Sequence, residues 1–194
     1  MLRSLSDVQR ILTCTFWQRL TYRPPFHPCA YVSYPEEADL SHLTALITGG
    51  SSGIGFQTAL YLAKQGASVI FTSRSKESGA AAIEQMKHET GKALPDKGYN
   101  MHVQCICLDL SNLKDIEPFV AQAIVALAGR KLDILVLNAG IMDVPHQKTE
   151  QGHEITFAAN HLGHFLLTKK LLPYINRPGR VVVVSGELFV FARD

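Results

Sequence analysis

From His42 onward, short apolar runs alternate with stretches of helical periodicity. This rhythm limits the fold more than any other feature of the chain. Leu43-Thr-Ala-Leu-Ile-Thr48 is an apolar run that ends on glycine, the mark of a buried strand. Ile54, Thr58 and Leu62 then recur at helical spacing over residues 53–65, and Gly66 stops that helix. Ser68 to Thr72 reads as a second strand and residues 76–90 as an alanine-rich helix ending at Gly91. Met101 to Leu108 is a third strand, and residues 112–128 a third helix ending at Gly129. Leu132 to Leu137, a long helix over 151–175 with Pro173 near its end, and a strand over Arg180 to Ser185 complete the series. Strands joined through helices of this length are crossover partners, so they run parallel, with helices covering both faces of the sheet. The expected fold is α/β, a doubly wound parallel sheet with spatial strand order 3-2-1-4-5. Ligands of such sheets bind at the carboxyl ends of the strands where the order reverses, here between strands 1 and 4.

Composition agrees with a single packed domain and removes several alternatives. A chain of 194 residues with 46% hydrophobic and 19% charged side chains can bury a core, unlike a disordered tail. Cys14, Cys29, Cys105 and Cys107 show no paired spacing, which excludes a disulfide scaffold or zinc ribbon and suggests a reducing, intracellular compartment. A net charge of +2 argues against a dedicated nucleic-acid binder.

Residues 1–40 differ in kind from residues 41–194. Arg3, Arg10, Arg19 and Arg23 face Asp7 alone across the first 35 positions, and the rest of the chain is close to balance. Leu5, Val8, Leu12, Phe16 and Leu20 form a helical apolar stripe with Ile11 and Trp17 beside it. The arginines interrupt it, so a membrane-spanning helix is not expected. Three readings stay open for residues 1–23: packing on the domain's own surface, peripheral membrane contact, and a mitochondrial presequence. Cytoplasmic, membrane-associated and mitochondrial locations stay open with them. Pro24, Pro25, Pro28 and Pro35 make residues 21–40 a linker.

Strand 1 runs directly into Thr48-Gly-Gly-Ser-Ser-Gly-Ile-Gly55, and a helix follows at once. Glycines here let a diphosphate approach the backbone, and the amides and dipole at the helix start attract it. Ser51 and Ser52 add hydroxyl donors. The spacing, Gly49-x-x-x-Gly53-x-Gly55, resembles the cofactor loop of the short-chain dehydrogenases/reductases. Further matches follow in order. Asp109-Leu110 after strand 3 resembles the pair that holds the adenine ring. Asn138-Ala139-Gly140 after strand 4 matches the N-A-G motif. Asn160-His-Leu-Gly-His-Phe165 resembles the segment with the catalytic asparagine, and with Leu-Leu-Thr168 following it looks most like the retinol-dehydrogenase-like branch. The resemblance covers residues 42–185 and implies a Rossmann-like domain with Gly49, Ser51, Ser52, Gly53, Ile54, Gly55, Asp109, Leu110, Asn138, Ala139 and Gly140 at a dinucleotide.

The choice between NAD and NADP is set at the end of strand 2. An NAD site wants a carboxylate there for the ribose 2′-hydroxyl. This strand ends Thr72-Ser-Arg-Ser75, with no acid before Glu77. Arg74 can pair with a 2′-phosphate, with Ser73 and Ser75 as further donors, so NADP(H) is the expected cofactor.

Carbonyl reduction needs a hydride from nicotinamide and a proton for the developing alkoxide. The resemblance implies a tyrosine as proton donor, a lysine four residues later that depresses its pKa, a serine and an asparagine. Asn160 supplies the asparagine. None of the tyrosines at 22, 31, 34, 61, 99 and 174 has a lysine four residues on. The family's serine pair reads Ser185-Gly186, so the matched position lacks a hydroxyl; Ser185 serves only if the backbone is displaced. The simplest expectation is that the chain stops short of the family's Tyr-x-x-x-Lys and of its last strands. The expected activity is an NADP-dependent oxidoreductase on a carbonyl or alcohol substrate, with lipids, retinoids and steroids as the class the family suggests. The alternative is a dinucleotide-binding fragment or shortened isoform without catalysis. His161 and His164 lie three apart on the fourth helix, but no third ligand has metal-site spacing, so no metal is expected. Homo-oligomerisation stays open.

Overall fold

The computed structural model describes residues 38–93 and 101–186. Most of residues 1–40, with the basic stripe and the linker, lie outside the described residues. Five strands form one parallel sheet in the order β3-β2-β1-β4-β5, the expected doubly wound arrangement. In chain order the elements are β1 (Thr44–Ile47), α1 (Gly53–Lys64), β2 (Ser68–Ser73), α2 (Lys76–Ala93), β3 (Val103–Cys107), α3 (Ile116–Leu127), β4 (Leu132–Leu137), α4 (Ile155–Phe157), α5 (Gly163–Leu171) and β5 (Ile175–Val183).

β1 and β2 are buried at every position and β4 nearly so, because helices cover the sheet on both sides. Strand alternation deals their side chains to two cores. Ala45, Ile47, Val69, Phe71, Ile134 and Val136 pack with Phe56 and Leu60 of α1 and Met86 of α2. Leu46, Ile70, Leu135 and Leu137 pack with Ile116 and Phe119 of α3 and Leu167 and Leu171 of α5. Leu135 is fully buried in the second core. Leu135→Ala is expected to cost about 3 kcal/mol through lost transfer energy and a residual cavity, measured by urea unfolding.

At the amino ends of the strands, Asp133 of β4 ties its two neighbouring strands to its own. Its Oδ2 accepts from the Thr44 amide of β1 at 2.8 Å, and its Oδ1 from Asn176 Nδ2 of β5 at 2.7 Å. Among the described residues, no helix is long and apolar enough to cross a membrane.

Several boundaries differ from the sequence expectation. α2 runs through Gly91 to Ala93: Gly91 is exposed, and its helical penalty of about 1 kcal/mol is small against the packing of Ala82 and Met86. The third helix opens as a 3-10 turn over Leu113–Asp115, where Asn112 Oδ1 accepts from the Lys114 amide. Residues 151–154 are not helical, because the Glu154 carboxylate caps the helix start, accepting from Thr156 N at 2.9 Å and Phe157 N at 2.7 Å. Finally, β5 starts at Ile175 rather than Arg180, with an irregularity opposite Leu132 and Ile134 that absorbs the extra length. It ends at Val183, so Ser185 follows the strand instead of closing it.

Candidate cofactor site

The carboxyl ends of β1 and β4 lie side by side at the point where the strand order reverses. The glycine-rich turn leaves β1 there and is held from both sides. Gly49 N donates to Thr72 Oγ1 and Gly50 N to the Thr72 carbonyl, both at 3.0 Å, which fixes the turn to β2. Asn138 Nδ2 donates to the carbonyls of Thr48, at 3.0 Å, and Gly49, at 3.3 Å, which fixes it to β4. Asn138 thereby ties the ends of β1 and β4 together.

α1 begins without a side-chain cap: Ser52 is extended and its hydroxyl takes none of the first amides. Phe56 N bonds back to the Ser52 carbonyl at 3.1 Å, while the amides of Gly53, Ile54 and Gly55 come too early in the helix for an intrahelical acceptor. Gly53 has a φ of +56°, and a β-carbon there would meet nothing within 4 Å. The space beside the helix start is therefore open. Gly55 is the opposite case. A β-carbon there would overlap the Gly49 carbonyl oxygen and come within 2.5 Å of Asn138 Nδ2. Ser51 is half-buried and Ser52 exposed at the mouth of this turn, and Ile54 is half-buried. An uncapped helix start, open space and a turn pinned by backbone bonds suit a diphosphate.

Arg74 is exposed just beyond β2. Ser73 is buried and bonds Ser78 Oγ at 2.5 Å, and Ser75 Oγ lies 3.0 Å from the same hydroxyl. These serines tie the start of α2 together. The acid nearest in sequence, Glu77, is held below the usual carboxylate range by its own backbone amide and then by Ser75. Its charge is directed to the helix start.

Asp109 is exposed where the chain leaves β3, and its Oδ1 accepts from Ser111 N at 2.9 Å and Ser111 Oγ at 2.7 Å. Asn112, not Asp109, caps the next turn. Leu110 is buried in the second core. Beyond β4, Gly140 is exposed, and a β-carbon there would lie at ordinary contact distance, 3.5 Å, from Asn160 Oδ1. Asn160 sits in a π turn over Ala158–Leu162, between α4 and α5. Its side chain pairs with one residue as a backbone would: Ile141 N donates to Oδ1 and Nδ2 donates to the Ile141 carbonyl, both at 2.8 Å. It thereby fixes the loop that follows Gly140. Ser185 and Gly186 are exposed, next to the end of β4, where Val184 N makes a bond to the Leu137 carbonyl at 2.9 Å.

Two residues that sequence reasoning did not assign to the site sit at its centre. Thr48 is fully buried, and its Oγ1 accepts from the amides of Asn138, at 2.9 Å, and Ala139, at 3.0 Å. His164 of α5 reaches the same hydroxyl with Nε2 at 2.8 Å, and its Nδ1 lies 3.1 Å from the Asn160 carbonyl. The signal for Thr48 was present as a hydroxyl at a strand end beside the glycines. For His164, spacing four residues beyond Asn160 was the only hint. His161 is outside these hydrogen bonds; it is exposed and stacks on Phe157 at 5.1 Å.

Burial, first, and His161, less so, hold the His164 imidazole below its ordinary value of 6.5, against the raising effect of the Asn160 carbonyl. The folded chain therefore binds fewer protons at His164 than the unfolded chain as pH falls below 6.5, so stability drops on acidification. The acid-side slope of stability below that pH is expected to be shallower in His164→Phe than in the wild type, read from urea unfolding between pH 7 and 5.

The model of the short chain dehydrogenase family matches residues 43–188. Human retinol dehydrogenase 13 is 40% identical over 154 residues, covering 78% of this chain and 44% of its own length. Human retinol dehydrogenase 14 is 39% identical over 155 residues, covering 76% of this chain and 46% of its own. Among solved structures, a blue fluorescent protein from a metagenomic library in complex with NADPH is 26% identical with a TM-score of 0.62, over 78% of this chain and 58% of that one. The chain belongs to the short-chain dehydrogenase family. Within it, the chain falls in the retinol-dehydrogenase-like branch. It spans somewhat less than half the length of these curated relatives.

Proposed function

We propose that residues 41–194 are the dinucleotide-binding part of an NADP(H)-dependent oxidoreductase that acts on a carbonyl or alcohol of retinoid or related lipid character. The observation that carries this reading is the open space beside the uncapped start of α1, with Arg74 exposed just beyond the end of the neighbouring strand β2. The amides of Gly53, Ile54 and Gly55 hold the diphosphate, with Ser51 and Ser52 donating at its edge. Arg74 pairs with the 2′-phosphate. Asp109 takes the adenine amino group on Oδ2, since Oδ1 is committed to Ser111, and the Leu110 amide donates to a ring nitrogen. Asn138 and Ala139 hold the turn against β4, and Gly140 lets the cofactor approach the backbone. When bound, the cofactor supplies hydride chemistry at its nicotinamide. Asn160 keeps the loop after β4 in place, and Ser185 is the hydroxyl available to orient a substrate oxygen. The substrate class follows the names of the related retinol dehydrogenases.

A second reading is favoured by one sequence fact: these residues contain no Tyr-x-x-x-Lys. The 194-residue chain is therefore expected to bind the dinucleotide without passing a proton to an alkoxide. The test is a fluorescence titration of the full chain with NADPH and NADH, followed by absorbance at saturating NADPH with retinal and a panel of aldehydes and ketones. Saturable NADPH binding is expected without turnover. Absence of binding removes the first reading, and turnover removes the second.

A further inference from the structure

We infer that His164 is a positioning residue for the cofactor cradle, acting through the Thr48 hydroxyl. The inference rests on the reading that the glycine-rich turn holds a dinucleotide, and it adds the device that holds the turn. Thr48 Oγ1 has two lone pairs and one proton. The amides of Asn138 and Ala139, at 2.9 and 3.0 Å, fill both lone pairs. The proton must then go to an acceptor. The Val136 carbonyl lies at 3.5 Å, at the limit of a hydrogen bond, while His164 Nε2 lies at 2.8 Å. Nε2 is therefore the acceptor, and the ring's proton sits on Nδ1, which donates to the Asn160 carbonyl at 3.1 Å. The ring is held neutral with one defined tautomer.

This arrangement joins three segments through one buried side chain. The hydroxyl that receives the first two amides after β4 belongs to the residue that opens the glycine-rich turn. The other face of the ring holds the backbone of Asn160, whose side chain grips Ile141 two residues beyond Ala139. Rotation of the Thr48 side chain away from Nε2 would remove its share of the tie between β4's exit and the glycine-rich turn, leaving only Asn138 Nδ2 on the Thr48 and Gly49 carbonyls. A protonated or inverted ring would present Nε2–H to an oxygen whose lone pairs are already taken.

The test separates the two arms of the ring. His164→Gln keeps an acceptor near the position of Nε2, and His164→Asn keeps a donor near that of Nδ1. In the full chain without ligand, hydrogen exchange at the Asn138 and Ala139 amides is expected to be at least about tenfold faster in His164→Asn than in His164→Gln. The Kd for NADPH is expected to weaken at least about tenfold in His164→Asn and to stay within about threefold of wild type in His164→Gln. Thermal midpoints of the two variants should fall alike. Equal effects of both variants on exchange and affinity, or no effect of either, would overturn the inference, because a residue that merely fills space would not tell the arms apart. If neither variant folds, the wild-type imidazole decides. Long-range proton–nitrogen spectra should show the Nδ1–H tautomer at pH 7, and an Nε2–H or doubly protonated ring sinks the inference. A wild type that ignores NADPH while the exchange contrast persists removes the dinucleotide reading and leaves the His164 relay supported.

Discussion

Gly55→Ala is expected to weaken NADPH binding by about 100-fold or more, equivalent to roughly 2.7 kcal/mol. One methyl group produces this because its neighbours cannot retreat. The added carbon would overlap the Gly49 carbonyl oxygen and crowd Asn138 Nδ2. Gly49 is held by Thr72 Oγ1, and Asn138 by the carbonyls of Thr48 and Gly49. Relief requires α1 to move away from β4, which displaces the amides proposed to hold the diphosphate. Overpacking of this kind also costs about 1–3 kcal/mol in stability, so binding and urea unfolding are measured on the same sample. Gly53→Ala supplies the contrast. Its β-carbon meets nothing, so the strain is limited to the left-handed backbone, about 1 kcal/mol, while the methyl enters the space where the ligand approaches. A Gly55→Ala chain that is folded and binds NADPH as the wild type does would contradict the cradle.

Arg74→Asp is expected to weaken NADPH about 100-fold while changing NADH by less than about threefold. The substitution replaces a charge-assisted pair with repulsion, and the repulsion exists only for the ligand that has a 2′-phosphate. Arg74 is exposed, so the fold should be indifferent to the change. An aspartate at this place can accept from the ribose hydroxyl as in an NAD site, so any small change in NADH affinity is expected in the direction of a gain. Equal loss for both dinucleotides would show that Arg74 does not face the 2′ position. Paired titrations at one salt concentration measure the difference, because a single exposed charge pair is sensitive to screening.

The sheet was legible because each of its central strands is buried on both faces and each connection is a helix. Leu132 to Leu137 has no other use for five apolar side chains in six positions. The glycine-rich turn was legible for a similar local reason: strand, glycines and helix are contiguous in the chain. The fourth helix differs from its sequence reading at its start, which depends on the Glu154 carboxylate turning onto Thr156 and Phe157, and in its interior, which contains a π turn. β5 was read short because the pairing of Ile175 with Leu132 crosses an irregularity that no periodicity shows. Thr48 and His164 stayed hidden for a deeper reason. They are 116 positions apart, and their contact exists only once β1 and α5 are packed on the same sheet.

Asp133 gives the sheet a fixed origin at the end away from the cradle. One carboxylate accepts from both β1 and β5 and adds to the backbone ladders that align the two strands on β4, at the rim opposite the glycine-rich turn. Families that vary their substrate loops over a constant scaffold need such an anchor. Here a single acidic side chain supplies part of that anchor, on the side of the sheet that carries no glycine-rich turn.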